Sequence, residues 1–159
     1  MSVFQEVDRQ LELGNYWKAK EILQGRLAGA SYDTELYERY GAVLLAMHDD
    51  MEAGKYLFLS GVRKPEYEAA INLYLDRFGG KSTGGLFQTF PHSAQVSAIK
   101  SFPEDVLITL EQSGHSRQAI EQNTRPSTSS PETSSLGEKF MVGAVLLTLL
   151  LLFVGFLVQ

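Results

Sequence analysis

Cysteine is absent from this sequence of 159 residues. The absence excludes disulfides and thiolate metal sites, and it fits a reducing compartment. Histidine is scarce: His48, His92 and His115 are far apart, and none is at metal-binding spacing from another. We therefore predict no metal site and expect all three histidines to be surface or turn residues.

Recognisable catalytic patterns are also lacking. Gly80-Lys81-Ser82 resembles the end of a phosphate-binding loop, but Leu75 stands where that motif needs its first glycine. The motif also requires a preceding strand, whereas a helix is predicted here. The segment 79–85, GGKSTGG, is better read as a glycine-rich loop between helices. The sequence thus predicts a protein that is not an enzyme, with no catalytic residue and no cofactor.

Charge disappears from the last twenty residues. All 33 charged side chains lie at or before Lys139, and an apolar run of 19 residues extends from Phe140 to Val158. As a helix this run would be roughly 28 Å long, close to the thickness of a bilayer core. We expect a tail anchor, in a single-pass membrane protein whose N-terminal domain is cytoplasmic. The net charge of −5 argues against nucleic acid as a partner.

The rest of the chain divides into two regions. In residues 123–137, eight of fifteen positions are Ser or Thr, which is typical of a linker. The prediction is a helical-repeat cytosolic domain at residues 1–113, a Ser/Thr/Pro-rich linker at 114–139 and a transmembrane anchor at 140–158.

Apolar residues at helical spacing and clear start signals predict the helices of the first region. Asp33 is expected to cap one helix, Asp49 with Glu52 is expected to form a capping box, and Pro65 fits a first helical turn. Aromatic residues are dense and are assigned mainly to the core, with Tyr56 or Tyr67 expected to be partly exposed. The predicted helices are 4–13, 16–27, 33–47, 51–61 and 65–78, followed by shorter ones near 93–100 and 103–112.

An internal repeat underlies these helices. Ala19 and Ala53 are 34 residues apart, and each is followed four residues later by leucine. Together with the large and small positions in residues 37–65, this spacing resembles the tetratricopeptide repeat. The resemblance implies an all-α fold of tetratricopeptide-like antiparallel helical hairpins, to which the sequence adds one C-terminal transmembrane helix.

A second resemblance covers residues 35–61, ELYERYGAVLLAMHDDMEAGKYLFLSG. This segment looks like an uncharacterised family of small bacterial helical proteins that carry an "AGRYxYL"-type stretch, with Lys55 in place of the usual arginine. The resemblance suggests a bacterial origin and implies a helical fold, but it brings no activity.

Tetratricopeptide arrays usually bind peptides along the first helix of each hairpin, so the resemblance implies a partner-binding set. The leading hypothesis is a membrane-tethered adaptor or scaffold that binds a basic or amide-rich peptide. Two alternatives remain open: a bacterial immunity or defence protein that neutralises a toxin, and an enzyme with a site in residues 86–113. A solvated helix face is a further reading of the implied binding residues, which are Asp8, Glu35, Glu38, Asn72 and Asp76.

Overall fold

The computed structural model describes residues 2–124, and these residues form helices joined by turns, with no strand among them. The all-α prediction is confirmed for this part of the chain. The proposed membrane anchor at 140–158 and most of the proposed linker lie outside the described residues. The elements are α1 (Val3–Glu12), α2 (Tyr16–Leu27), α3 (Thr34–Ala46), α4 (Asp50–Ser60), α5 (Pro65–Phe78), α6 (Thr83–Phe87), α7 (His92–Gln95), a 3₁₀ helix (Ile99–Ser101), α8 (Glu104–Gln112) and α9 (Arg117–Thr124).

None of the helices between residues 2 and 124 is long and apolar enough to cross a bilayer.

Local sequence signals set most helix starts. Ser2 and Gln5 form a reciprocal capping box at α1, and the Asp33 carboxylate accepts a hydrogen bond from the Leu36 amide at 3.0 Å. Pro65 occupies the first turn of α5, as predicted. Asp49 differs from the prediction, because its side chain makes no capping bond at α4. Its backbone, at φ −93° and ψ 63°, lacks the extended conformation that usually directs a capping oxygen at the first turn.

The core is built around α4, which packs between α3 and α5. Five consecutive residues of this helix, from Tyr56 to Ser60, are buried. A helix that is buried all round needs neighbours on every side. Phe90 and Phe102 cover the remaining face, since the Phe90 ring lies 6.4 Å from the Phe58 ring and the Phe102 ring lies 4.7 Å from that of Tyr32.

Glycine allows α4 to approach its two partners closely. A Cβ on Gly54 would lie 2.0 Å from the Ala70 carbonyl oxygen of α5, and a Cβ on Gly41 would lie 2.7 Å from the Leu57 side chain. The first contact is with backbone, which cannot rotate away as a side chain can. The distance between α4 and α5 therefore depends on the absence of a side chain at position 54.

The segment after α5 is part of the same unit. The GGKSTGG segment, predicted to be a loop, contains the start of α6, and the Ser82 hydroxyl accepts from the Gly85 amide at 3.2 Å. In α9, Ile120 is 0% exposed and Thr124 is 1% exposed. The helical unit therefore continues past the predicted boundary at residue 113 to the end of the described residues, because these side chains complete its core.

His115 lies in the turn before α9, one of the two positions expected for it, but its side chain is buried there instead of exposed. Its Nε2 lies 2.9 Å from the Gly79 carbonyl oxygen and its Nδ1 lies 3.0 Å from the Thr83 hydroxyl. Since a carbonyl only accepts, Nε2 donates to Gly79. His115 thus joins the end of α5 and the start of α6 to the turn before α9.

Buried tyrosines link the elements through their hydroxyls. Tyr32 donates to the Leu59 carbonyl at 2.6 Å, Tyr37 is hydrogen-bonded to Ser93 at 2.6 Å, and Tyr74 is hydrogen-bonded to Thr89. Burial is the main cause that raises the pKa of these three phenols and of Tyr40, Tyr56 and Tyr67. Tyr56 and Tyr67, of which one is expected to be partly exposed, are only 9% and 6% exposed because α4 and α5 turn them inward.

Gly54→Ala should lower the free energy of unfolding by about 1–3 kcal/mol, because the added methyl group forces α4 away from α5. The matched control is Gly25→Ala in α2, where a Cβ meets nothing within 4 Å. That change should raise the free energy of unfolding by about 0.5–1 kcal/mol, since alanine is the better helix former. Urea unfolding followed by circular dichroism measures both. Equal stabilities of the two variants would contradict the close approach.

Alkaline pH should unfold the protein through its buried tyrosines. Their raised pKa means that the folded state keeps protons which the unfolded chain releases near pH 10. The stabilisation is complete below about pH 10 and is lost as the pH rises beyond it. Tyrosinate absorbance should therefore appear together with the loss of helical circular dichroism, and Tyr40→Phe should move this transition to higher pH. Complete tyrosine ionisation in a fully helical protein would contradict the prediction.

Candidate functional site

An apolar depression of about 280 Å³ lies between α1 and α3. Ala42 and Ala46 create it, because they are four residues apart on one face of α3 and their short side chains leave space above the helix. Most of the lining is aliphatic, with one aromatic and one charged residue at its edges. The lining residues are Val7, Leu11, Tyr16, Arg39, Ala42, Val43 and Ala46.

A second depression, of about 290 Å³, adjoins the first on the other side of α3. Arg39 and Ala42 line both depressions, so the two form one continuous surface along α3. We call this surface, the lining of both depressions together, the α3 groove. The second depression is more polar than the first, and it is lined by Glu35, Glu38, Arg39, Ala42, Lys64 and Tyr67.

Arg39 fixes the charged edge of the α3 groove. Its guanidinium donates to Asp8 of α1 at 2.9 Å and to Glu35, one turn earlier in α3, at 3.2 Å. The same guanidinium lies 4.5 Å from the centre of the Phe4 ring. The Arg39 side chain is 33% exposed, so its ion pairs with Asp8 and Glu35 contribute little to the stability of the fold. They instead hold these two carboxylates beside the groove.

Glu38 fixes the opposite edge through contacts with α5. The Lys64 ammonium donates to Glu38 at 2.6 Å, and the Tyr67 hydroxyl donates to the same oxygen at 3.2 Å. The hydrogen bond to Glu38 is the largest cause that raises the pKa of Lys64. Lys64 therefore remains charged, and Glu38 is held between two donors rather than extended into solvent.

The α3 groove has an acidic surround. Helices α1 and α3 together carry five carboxylates, of which three border or approach the groove, and two arginines. Lys64 adds one positive charge from the start of α5. At the groove itself, Asp8, Glu35 and Glu38 lie beside Arg39 and Lys64, which leaves one negative charge in excess next to an apolar floor. This excess favours cationic groups on a partner.

The structure brings together three of the five residues that the sequence predicted as partner-binding. Asp8, Glu35 and Glu38 lie around Arg39 and Lys64 at the α3 groove. Each belongs to α1 or α3, the two helices that form the groove's edges.

The other two predicted residues are on other faces of α5. Asn72 is five positions after Tyr67, about 140° further around the helix, and Asp76 is about 180° around it. Asn72 lines another pocket of about 400 Å³, which meets the α3 groove at Lys64 and also contains Pro65, Glu68 and Thr109. Asp76 is exposed on α5 and lines neither this pocket nor the α3 groove.

The floor of the groove was not among the residues predicted from the sequence. Its signal was available in principle, because Ala42 follows Arg39 by three residues and Ala46 follows it by seven, which places all three on the same helical face. Leu11 and Tyr16 line the groove only because α1 turns into α2 beside α3, and that placement depends on the tertiary structure.

Metal chemistry receives no support from the part of the chain that the structure describes. Within residues 2–124, no cluster of three or more His, Asp or Glu side chains is placed to hold a metal ion. The α3 groove instead combines apolar surface, paired charges and the hydroxyl of Tyr67, an arrangement suited to binding a side chain of a partner.

One family model matches the chain. It covers residues 2–159 and is described as "Family of unknown function (DUF6584)". No curated protein and no solved structure matches the chain.

Proposed function

Because the chain belongs to a family of unknown function, DUF6584, its role must be inferred from the site, and we propose that it is a membrane-tethered protein-interaction module without catalytic activity. The α3 groove would bind a helical or extended peptide that carries both apolar and basic side chains. Residues 140–158 would anchor the chain to a membrane, with the helical unit in the cytoplasm. The observation that carries the proposal is an apolar groove with an acidic surround on an otherwise polar helical face.

The proposed fold, of tetratricopeptide-like hairpins, is supported by the repeat and by its burial. Ala19 and Ala53, one repeat apart, are both 0% exposed, as are Leu23 and Leu57 four residues after them. In arrays of this kind, peptides bind along the first helix of each hairpin. The α3 groove is bounded by α1, α3 and α5, which would be those first helices.

The open shape of the groove favours a peptide over a small molecule. Its two depressions, of about 280 and 290 Å³, are open to solvent on one side. Small-molecule sites usually enclose their ligand and cover most of its surface. The α3 groove therefore suits one or two apolar side chains whose backbone remains outside.

The charges select which peptide fits. An apolar side chain above Ala42 and Ala46 would bring its neighbours close to Asp8, Glu35 and Glu38. Arginine or lysine there would be attracted by these carboxylates, and aspartate or glutamate would be repelled. The proposed partner is thus an amphipathic basic segment of another protein.

The membrane anchor is proposed from the apolar run at Phe140–Val158. A tether of this kind would concentrate the module at a membrane surface, so that a groove with low affinity could still recruit a partner there. Affinity and location would then be supplied by different parts of the chain.

A large side chain that fills the groove should weaken peptide binding. Ala42→Trp should weaken the binding of a fluorescent helical peptide, with leucines on one face and lysines on the other, by at least about tenfold, or about 1.4 kcal/mol. The matched control is Ala69→Trp on the exposed side of α5. Fluorescence anisotropy with the full chain in neutral nanodiscs, corrected for empty nanodiscs, gives both affinities. Equal binding by the two variants, or equal binding of a leucine–glutamate peptide, would reject the proposed site.

Removal of residues 140–159 should abolish membrane attachment without changing the affinity of the groove for the peptide. The full chain should float with phosphatidylcholine vesicles in a density gradient, because its apolar run can span their core. The shortened chain should remain at the bottom and bind the leucine–lysine peptide with unchanged affinity. A shortened chain that still floats with neutral vesicles would contradict the proposed anchor, and normal circular dichroism serves as the folding control.

A further inference from the structure

An exposed aromatic corner lies where α1 turns into α2. Trp17, the only tryptophan of the chain, is 63% exposed, Leu13 is 60% exposed and Tyr16 is 42% exposed. We call this surface the Trp17 corner and define it as Leu13, Tyr16, Trp17, Lys18 and Lys20. A single exposed apolar residue needs no explanation, but three within five positions form a patch that the fold does not use.

The Trp17 corner protrudes from the helical unit. Every residue from Glu12 to Lys18 is exposed, and Gly14 makes the turn with a φ of 73°. In α2 the buried residues are Ala19 and Leu23, on the side that faces the core. Trp17 is thus presented outward by a convex turn, whereas a peptide-binding site is normally concave.

The charge of this region is opposite to that of the whole chain. Helix α2 carries Lys18, Lys20 and Arg26 against a single carboxylate, Glu21, while the chain has a net charge of −5. Lys18 pairs with Glu21 at 3.0 Å, and the Lys20 ammonium lies 5.4 Å from the centre of the Trp17 ring. With Glu12 at the end of α1 included, residues 12–26 carry three cationic side chains against two carboxylates, so their net charge is +1. The corner therefore combines aromatic surface with a small excess of positive charge.

We propose that the Trp17 corner is a second membrane contact that binds the interface of an anionic bilayer. Tryptophan and tyrosine are favoured at the depth of lipid headgroups, because their rings are apolar and their N–H and O–H groups remain hydrated. Lysines beside them attract anionic headgroups, and each lysine near such a surface contributes about 1 kcal/mol of binding free energy. The aliphatic part of a lysine side chain can cross the apolar layer so that its ammonium group stays at the surface. A fluid lipid surface accommodates a protruding corner without a matching pocket.

The inference goes beyond the proposed anchor and peptide site. An anchor at 140–158 alone would leave the orientation of the helical unit free, whereas contact at the Trp17 corner would fix which side faces the membrane. Tyr16 also borders the α3 groove, so the test relies on Trp17 and the two lysines.

The test uses Trp17 as its own reporter, since no other tryptophan contributes to the emission. The full chain is reconstituted into vesicles of phosphatidylcholine alone, or of an equal mixture with phosphatidylglycerol, with and without brominated acyl chains. In the anionic vesicles, the emission maximum should shift to shorter wavelength, and bromine should quench the intensity. In neutral vesicles both effects should be much smaller, and high salt should reduce them in the anionic vesicles.

A charge-reversed pair supplies the matched comparison. Lys18→Glu with Lys20→Glu should return quenching in anionic vesicles toward the neutral level, a weakening of the contact by roughly tenfold or more. Lys81→Glu with Lys100→Glu changes the net charge equally at exposed residues elsewhere and should leave the quenching unchanged. Circular dichroism checks that both pairs of substitutions leave the chain folded.

Several outcomes would overturn the inference. The first is equal Trp17 emission in neutral and anionic vesicles, and the second is an equal effect of the two charge-reversed pairs. The third is a blue shift without lipid that grows with protein concentration, which would indicate that the corner binds a second copy of the chain. A blue shift with a leucine–glutamate peptide but not with anionic vesicles would indicate a protein partner. Flotation without quenching would reject this contact and leave the anchor intact, whereas quenching only in anionic vesicles without flotation in neutral ones would reject the anchor alone.

Discussion

The contact between α4 and α5 at Gly54 is the constraint on which the helical unit depends. A hydrogen atom at this position lets α4 lie against the Ala70 carbonyl, where a methyl group would overlap the oxygen. Because α4 is buried on every side from Tyr56 to Ser60, its distance from α5 also sets where Tyr74 and Phe58 meet. Aromatic rings fill the space that remains around these helices, and their hydroxyls find partners in neighbouring elements.

The segment from α6 to α9 covers one side of α4. Its Phe90 ring packs against Phe58 of α4, and His115 ties the segment to the end of α5. Part of the surface of α3 stays accessible, where Glu35 and Ala46 are exposed. The α3 groove lies there, between the side chains of α1 and α5.

Charge is distributed unequally over the two exposed surfaces. The carboxylates of Asp8, Glu35 and Glu38 lie at the α3 groove. Lys18 and Lys20 lie beside Trp17, in α2. This separation would let one surface select a basic peptide and the other an anionic lipid surface, since each repels the ligand of the other. In the proposed role, the module holds a partner at a membrane by these two attractions, and it needs no chemical step.

The sequence by itself determined the helices from α1 to α5, because caps, Pro65 and apolar spacing are local signals that neighbouring residues satisfy. It also placed Asp8 on α1 and Glu35 with Glu38 on α3. Tertiary structure alone decided that α9 completes the core, that His115 is buried, and that Asn72 and Asp76 lie away from the groove. These outcomes depend on the rotation of α5 and on contacts between residues more than thirty positions apart, as between His115 and Gly79, which no local pattern encodes.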